Sequence, residues 1–378
     1  MQSTPTSTVT RDIGRVLENT TMYIEANKAH LLRGLLGFKP VVNGKDVPDN
    51  FIELLSAHKV NPNAQIIVGS TRDEASVFVY AKEPLPKVTM SEYAAALLVL
   101  FGANHGTRLY YYYSGAGGFT DGIEALSRTV TDMWFRCPMQ FWATVQAKVS
   151  SKPSYVYRYT HRFSSPSVFA YFGMPKRCAV DICHASELPF VFHYTKSTTP
   201  EVNVSMTVPE EALSSGMVSY LSNFAHTGDP NKPGPHRRSS VTDSSVTGGS
   251  AAGGSAAGGS AWPVWDATQR VNIVWNEGFG TENDSKALCD LWDQVGYIVP
   301  KYGKVSGGST GNNAQTQKNT HTHATRRTHT RIVMNRMPRT HAALERGDFE
   351  LAFTSVLSEV RHLNVPAFLR MHGLEGNW

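Results

Sequence analysis

No apolar run in this chain approaches the roughly 20 residues that an α-helix needs to cross a bilayer. The longest, Ala94 to Ala103, reads as a buried helix segment, so no membrane span is expected. The first ten residues, Met1 to Thr10, are polar and lack the basic-then-apolar plan of a signal peptide. Acidic residues are missing altogether between Gln294 and Leu344, where eight Lys/Arg stand: Lys301, Lys304, Lys318, Arg326, Arg327, Arg331, Arg336 and Arg339. The whole chain is +5, so everything outside that window sums to −3 and the basic character belongs to the tail. Within it, the Thr/His repetition from His321 to Thr330 has no acidic or cysteine ligands and no helical or strand period. That reads as low complexity rather than as a metal site or a specific nucleic-acid surface.

What is present describes a globular domain with appendages. Apolar residues make up 41% of the 378 and aromatics 10%, ordinary values for a chain that packs a core. Residues 234–261 contain a repeated Gly-Gly-Ser-Ala-Ala, which cannot bury a core and predicts a flexible loop. Residues 301–341 form the basic low-complexity tail. Residues 342–378 regain helical spacing through Leu344, Phe349, Leu351, Ala352, Val356, Val360 and Leu363, broken before Pro366. That last segment is either a helix docked on the domain or an unrelated tail.

Two segments carry chemistry. Gln65-Ile66-Ile67-Val68 reads as a short buried strand, with Gly69 allowing a tight turn and Asp73-Glu74 standing just past the strand's carboxyl end. His184 follows Glu74 by 110 residues, within Cys183-His184-Ala185-Ser186-Glu187-Leu188-Pro189-Phe190-Val191-Phe192. A hydroxyl nucleophile needs a neutral imidazole to accept its proton, and the imidazole needs a carboxylate to fix its tautomer. Taken alone, each segment also fits a solvated turn or a structural histidine.

The motifs together resemble the C-terminal half of a type-B carboxylesterase, the family of cholinesterases and neuroligins. The similarity runs from Phe38 to about Pro300 through seven collinear segments. These are Phe38 to Gly44 with Val47-Pro48, and Gly69 to Glu74 with Val77-Phe78. Asp132, Phe135, Cys137 and Pro138 follow, then Tyr155 to Tyr159 and the His184 segment. Phe224 to Asn231 and Trp262 to Trp265 complete the series. The resemblance implies an α/β-hydrolase fold in partial form, namely the C-terminal half of a mixed, mainly parallel sheet with flanking helices. Residues 1–37 become an N-terminal helical remnant, 38–300 the C-terminal half of the domain, and 234–261 a loop expansion between segments that normally stand close together.

The same resemblance implies ester hydrolysis without metal or organic cofactor, acting on a small-molecule ester, with Glu74 as the orienting acid and His184 as general base. Glu187 falls where the family often has a buried acid behind the histidine, and it equally fits a polar residue ending the loop. Cys137 and Cys289 match a long-range disulfide of the family. Cys178 and Cys183, five apart, could bridge locally; the alternative is four free thiols, two of them packed in the core, whereas one or both bridges imply a secretory or extracellular setting for the parent protein. Ala75 and Ala185 stand where members usually carry glycine, which predicts slight distortion wherever positive φ is needed.

The nucleophile is missing. Seventy-three residues precede Glu74, with no Gly-x-Ser-x-Gly and no glycine cluster; Gly14, Gly34, Gly37, Gly44 and Gly69 are scattered singly. The one formal match, Gly307-Gly308-Ser309-Thr310-Gly311, lies after the histidine in a glycine-serine tract. Cys183 adjoins His184, but neighbours in an extended segment point to opposite sides. The expectation is therefore a truncated esterase, inactive as this chain. The alternatives are a neuroligin-like, non-catalytic binding module and a non-functional gene fragment.

Overall fold

The computed structural model describes residues 44–49, 51–81, 87–171, 173–194, 205–234, 260–283 and 285–297. The expectations for residues 1–37, the interior of the 234–261 loop, the basic tail and the 342–378 segment lie outside the described residues. In chain order the elements are α1 (Phe51–Ser56), β1 (Ile66–Thr71), α2 (Ser76–Val79), α3 (Met90–Tyr111), α4 (Gly122–Thr131), α5 (Cys137–Val149), β2 (Ser154–Tyr159), α6 (Ser167–Tyr171), α7 (Leu188–Val191), α8 (Val208–Thr227), β3 (Asn272–Trp275), β4 (Gly280–Glu282) and α9 (Lys286–Val295). The described residues fall into two compact units, one comprising Ile52–Lys87 and Tyr112–Ile298, the other including Val88–Tyr111.

The first unit is built on a four-stranded sheet of order β1-β2-β3-β4. β1 and β2 are parallel, β2 and β3 are parallel, and β3 and β4 are antiparallel. This is the mixed, mainly parallel α/β arrangement expected. β2 reads Ser-Tyr-Val-Tyr-Arg-Tyr, and five of its six residues are buried, because a central parallel strand is covered on both faces. One face packs Tyr155, Tyr159, Phe190, Met217, Tyr220, Trp262 and Trp275 into the main core. On another side Val68, Val156, Ala143 and Trp265 form a smaller cluster.

Gly69 has a different role from the turn residue anticipated. It lies inside β1, which runs on to Thr71, and it pairs in register with Tyr157 of β2. A Cβ there would come within 2.4 Å of Tyr157 Cδ1 and of the Tyr157 carbonyl oxygen. The missing side chain lets the Tyr157 ring lie against the strand while its other neighbour, Trp275, stacks on it at 4.0 Å. The turn itself begins after Thr71, and Asp73 and Glu74 stand just beyond the strand, as expected.

Local chemistry sets the helix ends. Asp121 caps α4 by accepting from the Ile123 and Glu124 amides. α4 runs on through a π-helical turn at Asp132–Arg136 into α5, with no capping side chain at Arg136, and Pro138 lies at that junction. α8 opens on a capping box between Thr207 and Glu210 and closes on Gly228 at φ 74°, a left-handed cap. Asn231 and Trp262 are joined by two hydrogen bonds of 2.9 and 2.7 Å.

Cys137 and Cys289 form one disulfide, joining α5 to α9, with Cα atoms 5.1 Å apart. Cys178 and Cys183 form a second, at 5.5 Å. Cys183 is thereby removed as a nucleophile. In the second unit, α3 starts on Thr89, whose hydroxyl accepts from the Glu92 amide while Glu92 accepts from the Thr89 amide. Its regular course is interrupted at Gly102, which adopts φ 75° and ψ 167°. No helix among the described residues is long and apolar enough to cross a membrane.

Candidate active site

Glu74 sits in the turn after β1 and is 4% exposed. Both of its carboxylate oxygens are engaged: Oε1 accepts the Thr71 amide at 2.6 Å, and Oε2 contacts His184 Nδ1 at 2.6 Å. A carboxylate can only accept, so Nδ1 carries the proton and the neutral imidazole presents its lone pair on Nε2. The His184 side chain is half exposed, and no described residue hydrogen-bonds to Nε2.

The electrostatics agree with the geometry. The hydrogen bond to Glu74 raises the His184 pKa above the ordinary imidazole value; desolvation opposes this, and the charges of Glu74 and Glu187 reinforce it. Glu187 lies just before α7 with its Oε2 buried and unpartnered. Burial first, and then the nearby Glu74 charge, push its carboxyl up to about 7. The charges of Glu74 and His184 act on it in opposite directions, the first raising and the second lowering its pKa. Phe78 and Phe135, noticed in the sequence only as motif positions, place their rings 5.8 and 5.5 Å from the imidazole.

The two loops are laced together by groups that the sequence did not single out. Ser76 Oγ donates to Asp181 Oδ2 at 2.8 Å, while the Ala75 amide ties the acid loop to α4 by donating to Thr131 Oγ1 at 3.0 Å. Behind them runs a file of ion pairs. Arg158 and Arg136 meet Glu282 at 3.0 and 3.5 Å. Arg136 and Arg128 meet Asp132 at 4.0 and 3.5 Å, and Arg128 reaches Asp73 at 3.8 Å. Asp132 is fully buried. The Asp132 pairs follow helical i,i+4 spacing, but no periodicity announces the contacts with Glu282, which lies 124 residues from Arg158.

The two alanines at expected glycine positions behave differently. Ala75 adopts φ −77°, where a Cβ costs nothing. Ala185, beside His184, is held at φ 69°. A left-handed L-residue costs about 1–2 kcal/mol, while glycine loosens the unfolded chain by about 0.4–1 kcal/mol. Ala185→Gly is accordingly expected to stabilise the protein by about 0.5–1 kcal/mol net. Urea denaturation of the two forms measures it, and an unchanged or lower midpoint for the glycine form would show that Ala185 is not strained.

The Carboxylesterase family matches residues 15–263, opening upstream of the Phe38 segment. The Crystal protein of Dictyostelium discoideum is 26% identical over 264 residues, covering 69% of this chain and 42% of its own length. The acetylcholinesterase of Bungarus fasciatus is 24% identical over 280 residues, covering 70% and 39%. The bile salt-activated lipase of Bos taurus is 27% identical over 208 residues, covering 52% and 32%. A solved structure of a PNB esterase aligns with 69% of this chain and 44% of its own at 21% identity and a TM-score of 0.43. The chain spans less than half the length of these relatives. With the family match extending over more than half of its residues, the chain belongs to the carboxylesterase family, the group that includes the cholinesterases.

Proposed function

We propose that this chain carries the acid–base part of a carboxylic ester hydrolase, with His184 as the proton carrier and Glu74 as its orienting carboxylate. The observation that carries the reading is the 2.6 Å contact between His184 Nδ1 and Glu74 Oε2, with Nε2 left open. In that arrangement Nε2 accepts the proton of a hydroxyl nucleophile as it attacks an ester carbonyl. The imidazolium is stabilised by Glu74 and then delivers the proton to the leaving alcohol. Water repeats the cycle on the acyl intermediate, with Nε2 again the base. Glu74 is well suited to its part, because its second oxygen is fixed by the Thr71 amide and the carboxylate cannot swing away. Phe78 and Phe135 beside the imidazole favour an apolar group on the small-molecule ester.

Among the described residues no hydroxyl stands at Nε2. No serine among the described residues hydrogen-bonds to His184, and the chain's one Gly-x-Ser-x-Gly, Gly307 to Gly311, lies outside them. Residues 1–378 alone are therefore expected to be silent: no turnover of a short-chain nitrophenyl ester and no label from a serine-directed fluorophosphonate. A labelled serine would place a nucleophile in this chain and overturn the silent reading. Turnover that survives His184→Gln would overturn the role of His184, and turnover that is lost in that variant would support it.

A further inference from the structure

Glu74 and His184 stand on separate loops 110 residues apart, and a 2.6 Å contact between them requires the loops to be held in register. Two ties flank Glu74. On one side, the Asp73 amide donates to the Ile182 carbonyl at 2.9 Å while Asp73 Oδ2 accepts the Ile182 amide at 3.0 Å. The carboxylate thus completes a two-bond bridge of the kind that strands make with backbone alone. On the other side Ser76 Oγ donates to Asp181 Oδ2 at 2.8 Å. Asp181 and Ile182 lie three and two residues before His184, so both ties grip the histidine loop immediately upstream of the imidazole.

Asp73 is itself fixed from behind. Arg72 Nε donates to its Oδ2 at 2.9 Å, and Arg128 approaches its Oδ1 at 3.8 Å while donating to the Arg72 carbonyl at 2.8 Å. The gripped segment is braced as well, since the Cys178–Cys183 disulfide spans Ala179 to Ile182. A free loop would carry the imidazole through displacements of an ångström or more, enough to break so short a hydrogen bond.

We propose that Asp73 is a positioning residue whose carboxylate clamps the Ile182 backbone and, with the Ser76–Asp181 tie, sets the Glu74–His184 contact. The proposal rests on reading those two residues as the acid–base pair. Asp73 does not touch the imidazole; the ionisable groups facing His184 are Glu74 and Glu187.

The test is proton and nitrogen NMR of the full chain, with the His184 signals assigned through His184→Gln. The unaltered protein should show a low-field Nδ1 proton and a titration midpoint above the ordinary imidazole value. Asp73→Ala should lose that proton signal and lower the midpoint towards the ordinary value. Asp73→Asn should keep both, because an amide oxygen still accepts the Ile182 N–H. An alanine variant matching the unaltered protein on both readouts would overturn the proposal. So would an asparagine variant behaving like alanine, since charge rather than the backbone clamp would then be the cause. If circular dichroism shows Asp73→Ala unfolded, Ser76→Ala decides on the same readouts: a lost or shifted signal supports the latch, and an unmoved one overturns it. Glu74→Gln separates the two levels. If it leaves the His184 titration unchanged, the acid–base reading fails; if it moves it while Asp73→Ala does not, only the clamp fails.

Discussion

Replacing Cys137 and Cys289 together by alanine is expected to lower folding stability by up to about 5 kcal/mol, as the cost of opening a loop that long. The disulfide closes 152 residues, and in the chain-entropy account the denatured ensemble loses more freedom the longer the closed loop. Both cysteines are fully buried, so there is no solvent route to relieve the cavity left behind. The same account gives only about 2 kcal/mol for the five-residue Cys178–Cys183 loop. Five kcal/mol equals the whole stability of many domains, so the double variant should unfold at far lower urea. Equilibrium denaturation of the oxidised protein and the variant measures the difference. A loss below about 2 kcal/mol would mean that α5 and α9 hold together without the bridge. The contacts available for that are the Gln140–Ser285 hydrogen bond of 2.7 Å and the Phe141–Tyr297 ring contact at 5.6 Å.

The sequence made some of this architecture legible and hid the rest for physical reasons. The meeting of Glu74 with His184 and the Cys137–Cys289 bridge were legible because an ordered series of segments resembles one family, whereas the Cys178–Cys183 bridge was suggested by closeness in sequence. Ala185 was readable because glycine's tolerance of positive φ is a one-residue property. Gly69 misled, because a glycine at a strand end signals a turn as easily as a close approach. Only the register with Tyr157 distinguishes the two. Asp181, Ser76 and Arg128 carried no signal at all. Each is an unremarkable polar residue in a loop or on a helix, and its meaning lies in a partner between 51 and 105 residues away. Local pattern reports periodicity and backbone demand, whereas side-chain lacing between loops follows from the folded topology alone.

Glu210 shows the same limit and supports the second large effect. Its carboxylate is 1% exposed at the start of α8. It accepts from the Ser164 amide at 2.7 Å, the Ser164 hydroxyl at 2.6 Å and the Thr207 amide at 2.8 Å, and it contacts His161 Nε2 at 3.0 Å. It thereby ties the segment leaving β2 to the helix that packs under the histidine loop. Burial by itself would push its pKa up from 4.5. The hydrogen bonds from Ser164, His161 and Thr207 outweigh that and hold it at about 2. Glu210→Ala leaves the buried His161 Nε2 without its carboxylate while the exposed Ser164 and Thr207 donors turn to water, so a loss of about 1–3 kcal/mol is expected.

The pH dependence supplies the sharper check. A carboxyl whose folded pKa lies below its unfolded value contributes stability that is complete above the unfolded value of 4.5. That contribution drains away as pH falls towards about 2. The gap in unfolding free energy between the unaltered protein and Glu210→Ala should therefore be widest above 4.5 and should narrow steadily in acid. A gap that stays constant down to pH 2 would mean that Glu210 acts through packing alone and that its charge takes no part in joining β2 to α8.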